Sequence, residues 1–284
     1  NKYKNHGKHI LVSRLENSSI YEILNHLKNH GFEIEYLDHE ANGLVSFDDL
    51  KNKVRKDTIL VIISALNEDL GIRQPLKTIR QIIKKENSDT FLHSDMSQAI
   101  GKVNVNLHDA DSAAISAHKF YAPQGIGILY LNNNLKLESL IDGPKELPLP
   151  LIVAMSKALR IALTDISRKE EHIKKLNNRL TNEILKLNNI VCNNTEYSIP
   201  HIINFSVLGR KSDATQRYFA AHEIYFSTKT ACSSESDVSL AVYAMTNDTE
   251  RASSSVRVSL SHLTTLKEIR EFLKVVDKYM EKKI

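Results

Sequence analysis

Thr58-Ile-Leu-Val-Ile-Ile63 is an unbroken apolar, β-branched run of six residues, bounded by Asp57 and Ser64. A run of this length and composition reads as a strand covered on both faces, as the strands of a parallel sheet are. Working outward, the same grammar repeats. His9-Ile-Leu-Val-Ser13 is a short strand, and 32–37 and 90–93 alternate as strands do. Helical spacing fills the gaps: Ile20, Ile23, Leu24 and Leu27 share one face behind a Ser18-Ser19 cap, and 47–54 and 75–84 carry two more helices. Strands alternating with helices at this interval predict βαβ units and a mainly parallel sheet, hence an α/β fold. Ala113-Ala-Ile115 and 125–131 extend it.

The polar segment 132–150, with Asn132-Asn-Asn134 and three prolines, is the expected boundary between a large domain over 1–148 and a smaller C-terminal α+β domain over 149–284. The second unit is predicted to hold one long helix over 151–189, strands at 202–207 and 255–260, helices at 215–223 and 236–245, and a closing amphipathic helix over 266–282.

Composition narrows the function classes. The 284-residue chain is 42% hydrophobic and 25% charged, as globular chains are. Its net charge of +4 is spread along the sequence rather than clustered, which argues against direct nucleic-acid binding. No apolar run reaches the ~18 residues of a membrane span. Two cysteines, Cys192 and Cys232, give no disulfide framework and fit a reducing, cytoplasmic setting. Histidines and cysteines do not recur at metal-ligand spacing. Asn1 lies close to the first strand and is not a Met, so further sequence is expected upstream.

In open parallel sheets ligands gather beyond the carboxyl ends of the strands. Three polar clusters fall there: Asn67 after 58–63, Asp95 and Gln98 after 90–93, and Ser116, His118 and Lys119 after 113–115. A lysine beside a serine and a histidine, one strand away from a carboxylate, is what a pyridoxal 5'-phosphate site needs. The amine forms a Schiff base with the cofactor aldehyde, and the carboxylate holds the ring nitrogen protonated so that the ring draws electrons from the substrate. Far downstream, Thr230-Ala-Cys232-Ser-Ser234 is a small-residue loop able to carry a reactive thiol. Each has an ordinary reading as well: a solvated lysine, a helix-capping aspartate, an inert packed cysteine, a surface arginine.

The motifs resemble those of the cysteine desulfurases, pyridoxal-phosphate enzymes of fold type I, in the branch serving iron–sulfur cluster assembly and tRNA thiolation. The resemblance is carried by Asn42-Gly-Leu-Val45, by Asn67-Glu68 with Gly71 and Gln74, and by Asp95-Met-Ser-Gln-Ala-Ile-Gly-Lys102. It continues through Ser116-Ala-His-Lys-Phe-Tyr-Ala-Pro-Gln-Gly-Ile-Gly127, Ala231-Cys-Ser-Ser234 and Val256-Arg-Val-Ser-Leu260. It implies the PLP-dependent transferase fold, a homodimer, L-cysteine as substrate, and a sulfur-acceptor or iron–sulfur scaffold protein as partner. It assigns Lys119 to the cofactor and to proton transfer at Cα, Asp95 to the ring nitrogen, Gln98 to the ring hydroxyl, and Ser116 and His118 to the phosphate. Asn67 serves the ring hydroxyl and the substrate carboxylate, Arg257 that carboxylate, and Cys232 is the thiolate that takes the sulfur as a persulfide.

Several positions depart from the pattern. The phosphate-holding backbone loop falls ahead of Asn1. Glu16-Asn17 stands where the family has Glu-His, with the imidazole over the cofactor ring. An Arg-Ser-Gly-Thr segment is missing from the region 141–148. Lys229-Thr230, Ser239-Leu240 and Ser261-His262 replace a Gly-small pair, a Ser-His step and a Gly. Two alternatives follow: a catalytically degenerate paralogue acting as a structural or regulatory partner, and a related enzyme for selenocysteine or another β-substituted amino acid.

Overall fold

A computed structural model describes residues 5–133, 135, 137, 148–228 and 238–282. Cys232, the Lys229-Thr230 pair and the region 141–147 lie outside the described residues.

The first half alternates strand and helix as expected: β1 (His9–Ser13), α1 (Ser18–Asn29), β2 (Glu33–Leu37), α2 (Phe47–Lys53), β3 (Thr58–Ile62), α3 (Leu76–Glu86), β4 (Phe91–Asp95), β5 (Ser112–Ser116) and β6 (Gly127–Leu131). They form one sheet in the order β2-β1-β3-β4-β5-β6. All pairs are parallel except β5–β6, a closing antiparallel edge. The fold is thus α/β with a mainly parallel sheet. Leu11, Val61, Leu92 and Ala113 sit at the centre of the core on one face with Ile79 and Ile83 of α3, while Ile10, Val12 and Ile62 pack beneath Leu24 of α1 on the other. Burial of both faces explains why β3 is apolar without alternation.

Two expectations change in detail. The cap of α1 is Asn17, not Ser18: its Oδ1 accepts the Ile20 N–H at 3.2 Å. An amide oxygen one residue earlier satisfies the orphan donor that the serines were expected to meet. The long helix expected over 151–189 is two, α4 (Leu149–Leu163) and α5 (Ile166–Ile184), broken where Asp165 takes a left-handed φ of 55°. The break lets the two serve different cores. Met155, Ala158, Leu159 and Ala162 of α4 pack against the six-stranded sheet's core, whereas Ile173, Leu176, Leu180 and Ile184 of α5 pack into the second.

That second core is built on a three-stranded antiparallel sheet of β7 (Ile190–Cys192), β8 (Ile202–Val207) and β9 (Ser255–Ser259), in the order β7-β8-β9. Helices α6 (Ser212–Ala220), α7 (Leu240–Thr246), α8 (Thr249–Ser253) and α9 (Leu266–Glu281) accompany it. Short β7 and α8 were not expected from the sequence, being too brief for a periodicity to show. Helix α9 opens on a capping box, Thr265 Oγ1 receiving the Glu268 N–H while the Glu268 carboxylate receives the Thr265 N–H. Polar ties join the two halves: Asn204 Nδ2 donates to the Asp69 carbonyl at 3.1 Å, and Asn194 Nδ2 to that of Leu70 at 2.9 Å.

Gly101 closes the turn after β4 at φ 76°, and a Cβ there would come to 2.8 Å from Cβ of Ala162 on α4. Gly101→Ala is therefore expected to lower stability by about 1–3 kcal/mol, combining left-handed strain with overpacking, read as a shifted denaturant midpoint with unchanged slope.

Candidate active site

Parallel pairing sends the segments after β1, β3, β4 and β5 out of the same edge of the sheet, and these carry most of the sequence candidates. Asp95, the last residue of β4, has both oxygens engaged: Oδ1 accepts the Ser97 N–H at 2.8 Å, and Oδ2 accepts a hydrogen from Asn17 Nδ2 at 3.1 Å. Ser97 in turn ties β4 to β5, its Oγ accepting the Ser116 N–H at 2.9 Å. Ser116, His118 and Lys119 follow in the 3-10 helix Ala117–Phe120 and its cap, which ends on Tyr121 in a left-handed conformation (φ 67°). His118 is exposed and Lys119 half-buried.

The segment after β3 brings in charge. Lys119 Nζ lies 3.9 Å from the Glu68 carboxylate. Arg257, on β9, reaches the same segment: Nη1 donates to the Glu68 carbonyl at 3.2 Å and to Asp69 Oδ1 at 3.1 Å, and Nη2 to Ser227 Oγ at 3.1 Å. Its Nε–H is buried and meets no partner among the described residues. Burial pushes the Asp69 carboxyl up to about 6 against the pull of Arg257, with Glu68 adding to the rise. Lys102 is pushed down to about 8 by burial first, and then by Lys119 and Arg257. Its Nζ donates to the carbonyl and to Oε1 of Gln98, at 3.0 and 3.1 Å.

Asn67 holds the segment together. Nδ2 donates to the Leu15 carbonyl at 3.0 Å, while Oδ1 receives the N–H groups of Asp69 and Leu70 at 3.0 and 2.7 Å. The second amide hydrogen of Nδ2 has no acceptor among the described residues. Glu16 is buried beside it, with Oε1 accepting the Ser64 N–H at 2.7 Å and Oε2 the Ser64 hydroxyl at 2.5 Å. Burial, reinforced by the charge of Asp95, raises its carboxyl to about 7, against the hydrogen bonds from Ser64.

The structure thus links Asp95 to Ser116 through Ser97, and Lys119 to Arg257 through Glu68 and Asp69. Gln98 is engaged by Lys102. Glu68, Lys102 and Glu16 stood in the sequence only as members of motifs, without a role of their own, and Asp69 was not singled out; two adjacent carboxylates just past a buried strand were the available signal for Glu68 and Asp69. Beside Lys119, a cavity of about 330 Å³ is lined by Lys102, Tyr121, Lys169, His201 and His262. Cys192 is partly buried, with its thiol pushed up by burial, unlike a thiol tuned for reaction. Among the described residues no group of His, Cys, Asp and Glu is placed to hold a metal ion, and no helix is long and apolar enough to cross a membrane.

The class-V aminotransferase family model matches residues 1–142 and 147–272. The chain is 34% identical to the cysteine desulfurase IscS of Buchnera aphidicola subsp. Acyrthosiphon pisum, over 97% of its own length and 71% of that protein's. The chain belongs to the cysteine desulfurase family. It is 32% identical to the mitochondrial cysteine desulfurase of Candida maltosa over 98% of its own length, but spans only 60% of that relative's. Among solved structures, a NifS-like protein superposes with a TM-score of 0.91 at 28% identity, covering 98% of this chain and 76% of the other. A NifS-like protein from Rickettsia africae does so with a TM-score of 0.86 at 25% identity, covering 97% and 76%. Members of the family depend on pyridoxal phosphate.

The buried Glu16 has a consequence for stability. Its carboxyl is raised in the folded state from an ordinary 4.5 to about 7, so ionisation is easier in the unfolded chain. The protonated form contributes its full stability below pH 4.5, and that contribution is lost as pH rises through 7. Glu16→Gln, which mimics the protonated acid, is expected to be the more stable protein at pH 8, by up to roughly 3 kcal/mol, and to match the wild type near pH 4 in denaturant titrations.

Proposed function

We propose that the chain acts as a pyridoxal-phosphate-dependent cysteine desulfurase. It takes sulfur from L-cysteine, releases L-alanine, and passes the sulfur as a protein persulfide to an acceptor or scaffold protein for iron–sulfur clusters or thiolated tRNA. The observation that carries this reading is the retention, in a desulfurase-family fold, of Asp95 and Lys119 beyond neighbouring parallel strands, with the Arg257 fork brought to the same edge.

The donor set suits the cofactor. Asp95 accepts one hydrogen at each oxygen and has lone pairs to spare for a ring N–H. Ser116, at the foot of the 3-10 helix, and exposed His118 offer hydrogens to a phosphate, Gln98 and the spare amide hydrogen of Asn67 to the ring hydroxyl. Pyridoxal phosphate, when bound, supplies an electron sink that acidifies the substrate Cα–H and labilises the Cβ–S bond.

The chain's own groups do the rest. Lys119 is the amine that would hold the cofactor through its aldehyde, and it would move the proton at the substrate Cα. Arg257 orients the substrate carboxylate, a task for which its buried Nε–H, without a partner among the described residues, is suited. The Cys232 thiolate attacks the substrate sulfur: an S–S bond forms, the C–S bond breaks with its electron pair going to carbon, and protonation there completes alanine.

An apolar face supports a homodimer. Tyr121, Ile161 and Leu263, all more than half exposed, border the cavity beside Lys119, and exposed Leu149 and Val153 continue along α4. A second copy of the chain is the occupant that would bury it. A persulfide carrier also needs a reducing compartment, in keeping with a cytoplasmic setting. Asn17, where relatives use an imidazole, favours a second reading, a paralogue that has lost its chemistry and serves as a structural or regulatory partner.

Borohydride reduction of the cofactor-loaded protein followed by peptide mapping is expected to label Lys119 and no other residue, and Lys119→Ala to abolish both label and alanine release. Cys232→Ser is expected to keep the label while losing the protein persulfide, with alanine release falling at least 100-fold. A loaded wild type that is labelled yet releases no alanine from cysteine decides for the second reading.

A further inference from the structure

Asn17 follows buried Glu16 in the chain and donates to half-buried Asp95, so it adjoins two carboxyls. On one side is Asp95, at the end of β4. On the other is Glu16, buried against Ser64 with its oxygens facing the Ser64 N–H and hydroxyl. The Asn17 side chain is fixed at both ends. Its Oδ1 receives the Ile20 N–H at 3.2 Å, and also the Ser19 hydroxyl, as the cap of α1; its Nδ2 donates to Asp95 Oδ2 at 3.1 Å. Because the oxygen is spent on the helix, the amide cannot flip without losing the cap, so the end presented to Asp95 is the donor.

From this geometry we infer that Asn17 is a positioning residue for Asp95: anchored as the helix cap, its amide donates to that carboxylate and holds it in a fixed rotamer, leaving lone pairs free for a ring N–H. The inference rests on the proposed role of Asp95 at the cofactor ring nitrogen. There, a carboxylate rather than a carboxylic acid is required, since only the anion holds the ring nitrogen protonated.

The remaining contacts agree. Among the described residues Asp95 receives two N–H groups, from Asn17 and Ser97, one at each oxygen, which fix the orientation of the carboxylate. Glu16 has Ser64 as its donor but lies deeper, and the charge of Asp95 adds to its burial in raising its carboxyl. His93, on the same strand, has its proton affinity lowered by burial and pairs with Ser112 rather than with either acid. Asn17 thus makes a positive contribution at a position where the imidazole of related enzymes is missing.

The test separates the cap from the carboxylate contact. Asn17→Ser keeps a strong N-cap but is too short to reach Asp95; Asn17→Asp keeps the shape and the cap while turning the donor into an acceptor. In the cofactor-free protein, the Asn17 side-chain amide is expected to give a downfield 15N–1H signal that moves upfield in Asp95→Ala. When apoprotein is titrated with pyridoxal phosphate, both Asn17 variants are expected to bind about tenfold or more weakly than wild type, the scale of losing one hydrogen bond to a charged group. The melting temperature of the Asn17→Ser apoprotein should stay within a few degrees of wild type. An amide signal indifferent to Asp95→Ala overturns the inference, as does cofactor affinity unchanged in Asn17→Ser and Asn17→Asp. If wild type itself takes up no cofactor, the proposed function falls, and the amide signal alone then decides whether Asn17 holds Asp95.

Discussion

Parallel pairing of β1, β3, β4 and β5 is the constraint on which the rest of this structure depends. Strands that run the same way must release their chains at the same edge, so the segments bearing Asn17, Asn67, Asp95 and Lys119 converge without being near in sequence. The sheet can run parallel because both of its faces are covered, by α1 on one side and by α3 and α4 on the other. The site edge is then stitched by short polar contacts: Ser97 between β4 and β5, Asn67 between the segments after β1 and β3, and Asn17 from α1 to Asp95.

Charge at this edge is concentrated but balanced locally. Three cations, Lys102, Lys119 and Arg257, are set against Glu68 and Asp69, and a separate acid pair, Glu16 and Asp95, lies toward α1. Burial without full pairing accounts for Asp69 and Glu16 being displaced upward and Lys102 downward. Such displacement is characteristic of sites that handle protons, although structural ion-pair networks produce it as well. In this chain the displaced groups flank the residues proposed to carry the chemistry, which favours the functional interpretation.

The antiparallel second sheet contributes differently. It brings one arginine, Arg257 on β9, into the first unit, and its guanidinium is held by a carbonyl, a carboxylate and a hydroxyl from two separate segments. Its geometry therefore depends on how the two cores dock, through Asn194 and Asn204, rather than on anything local to the strand. Helix α4 belongs to this arrangement too, since it packs on the first core while leading into the second.

Much of this was legible in the residues alone. The apolar run at 58–63, the alternation of strand and helix, and the polar residues at strand ends follow from period and burial, and these determined an α/β fold with Asp95 and Lys119 at one edge. What they could not determine was set by contacts between distant segments. The turn at Asp165 divides a continuous helical pattern because α4 and α5 serve different cores. Asn17 is a cap and a carboxylate clip because Asp95, 78 residues away, meets it. Glu68 matters because Lys119 comes within reach. Periodicity reports which face of an element is apolar, whereas the partner of a polar side chain is fixed only when the sheet and its two cores assemble.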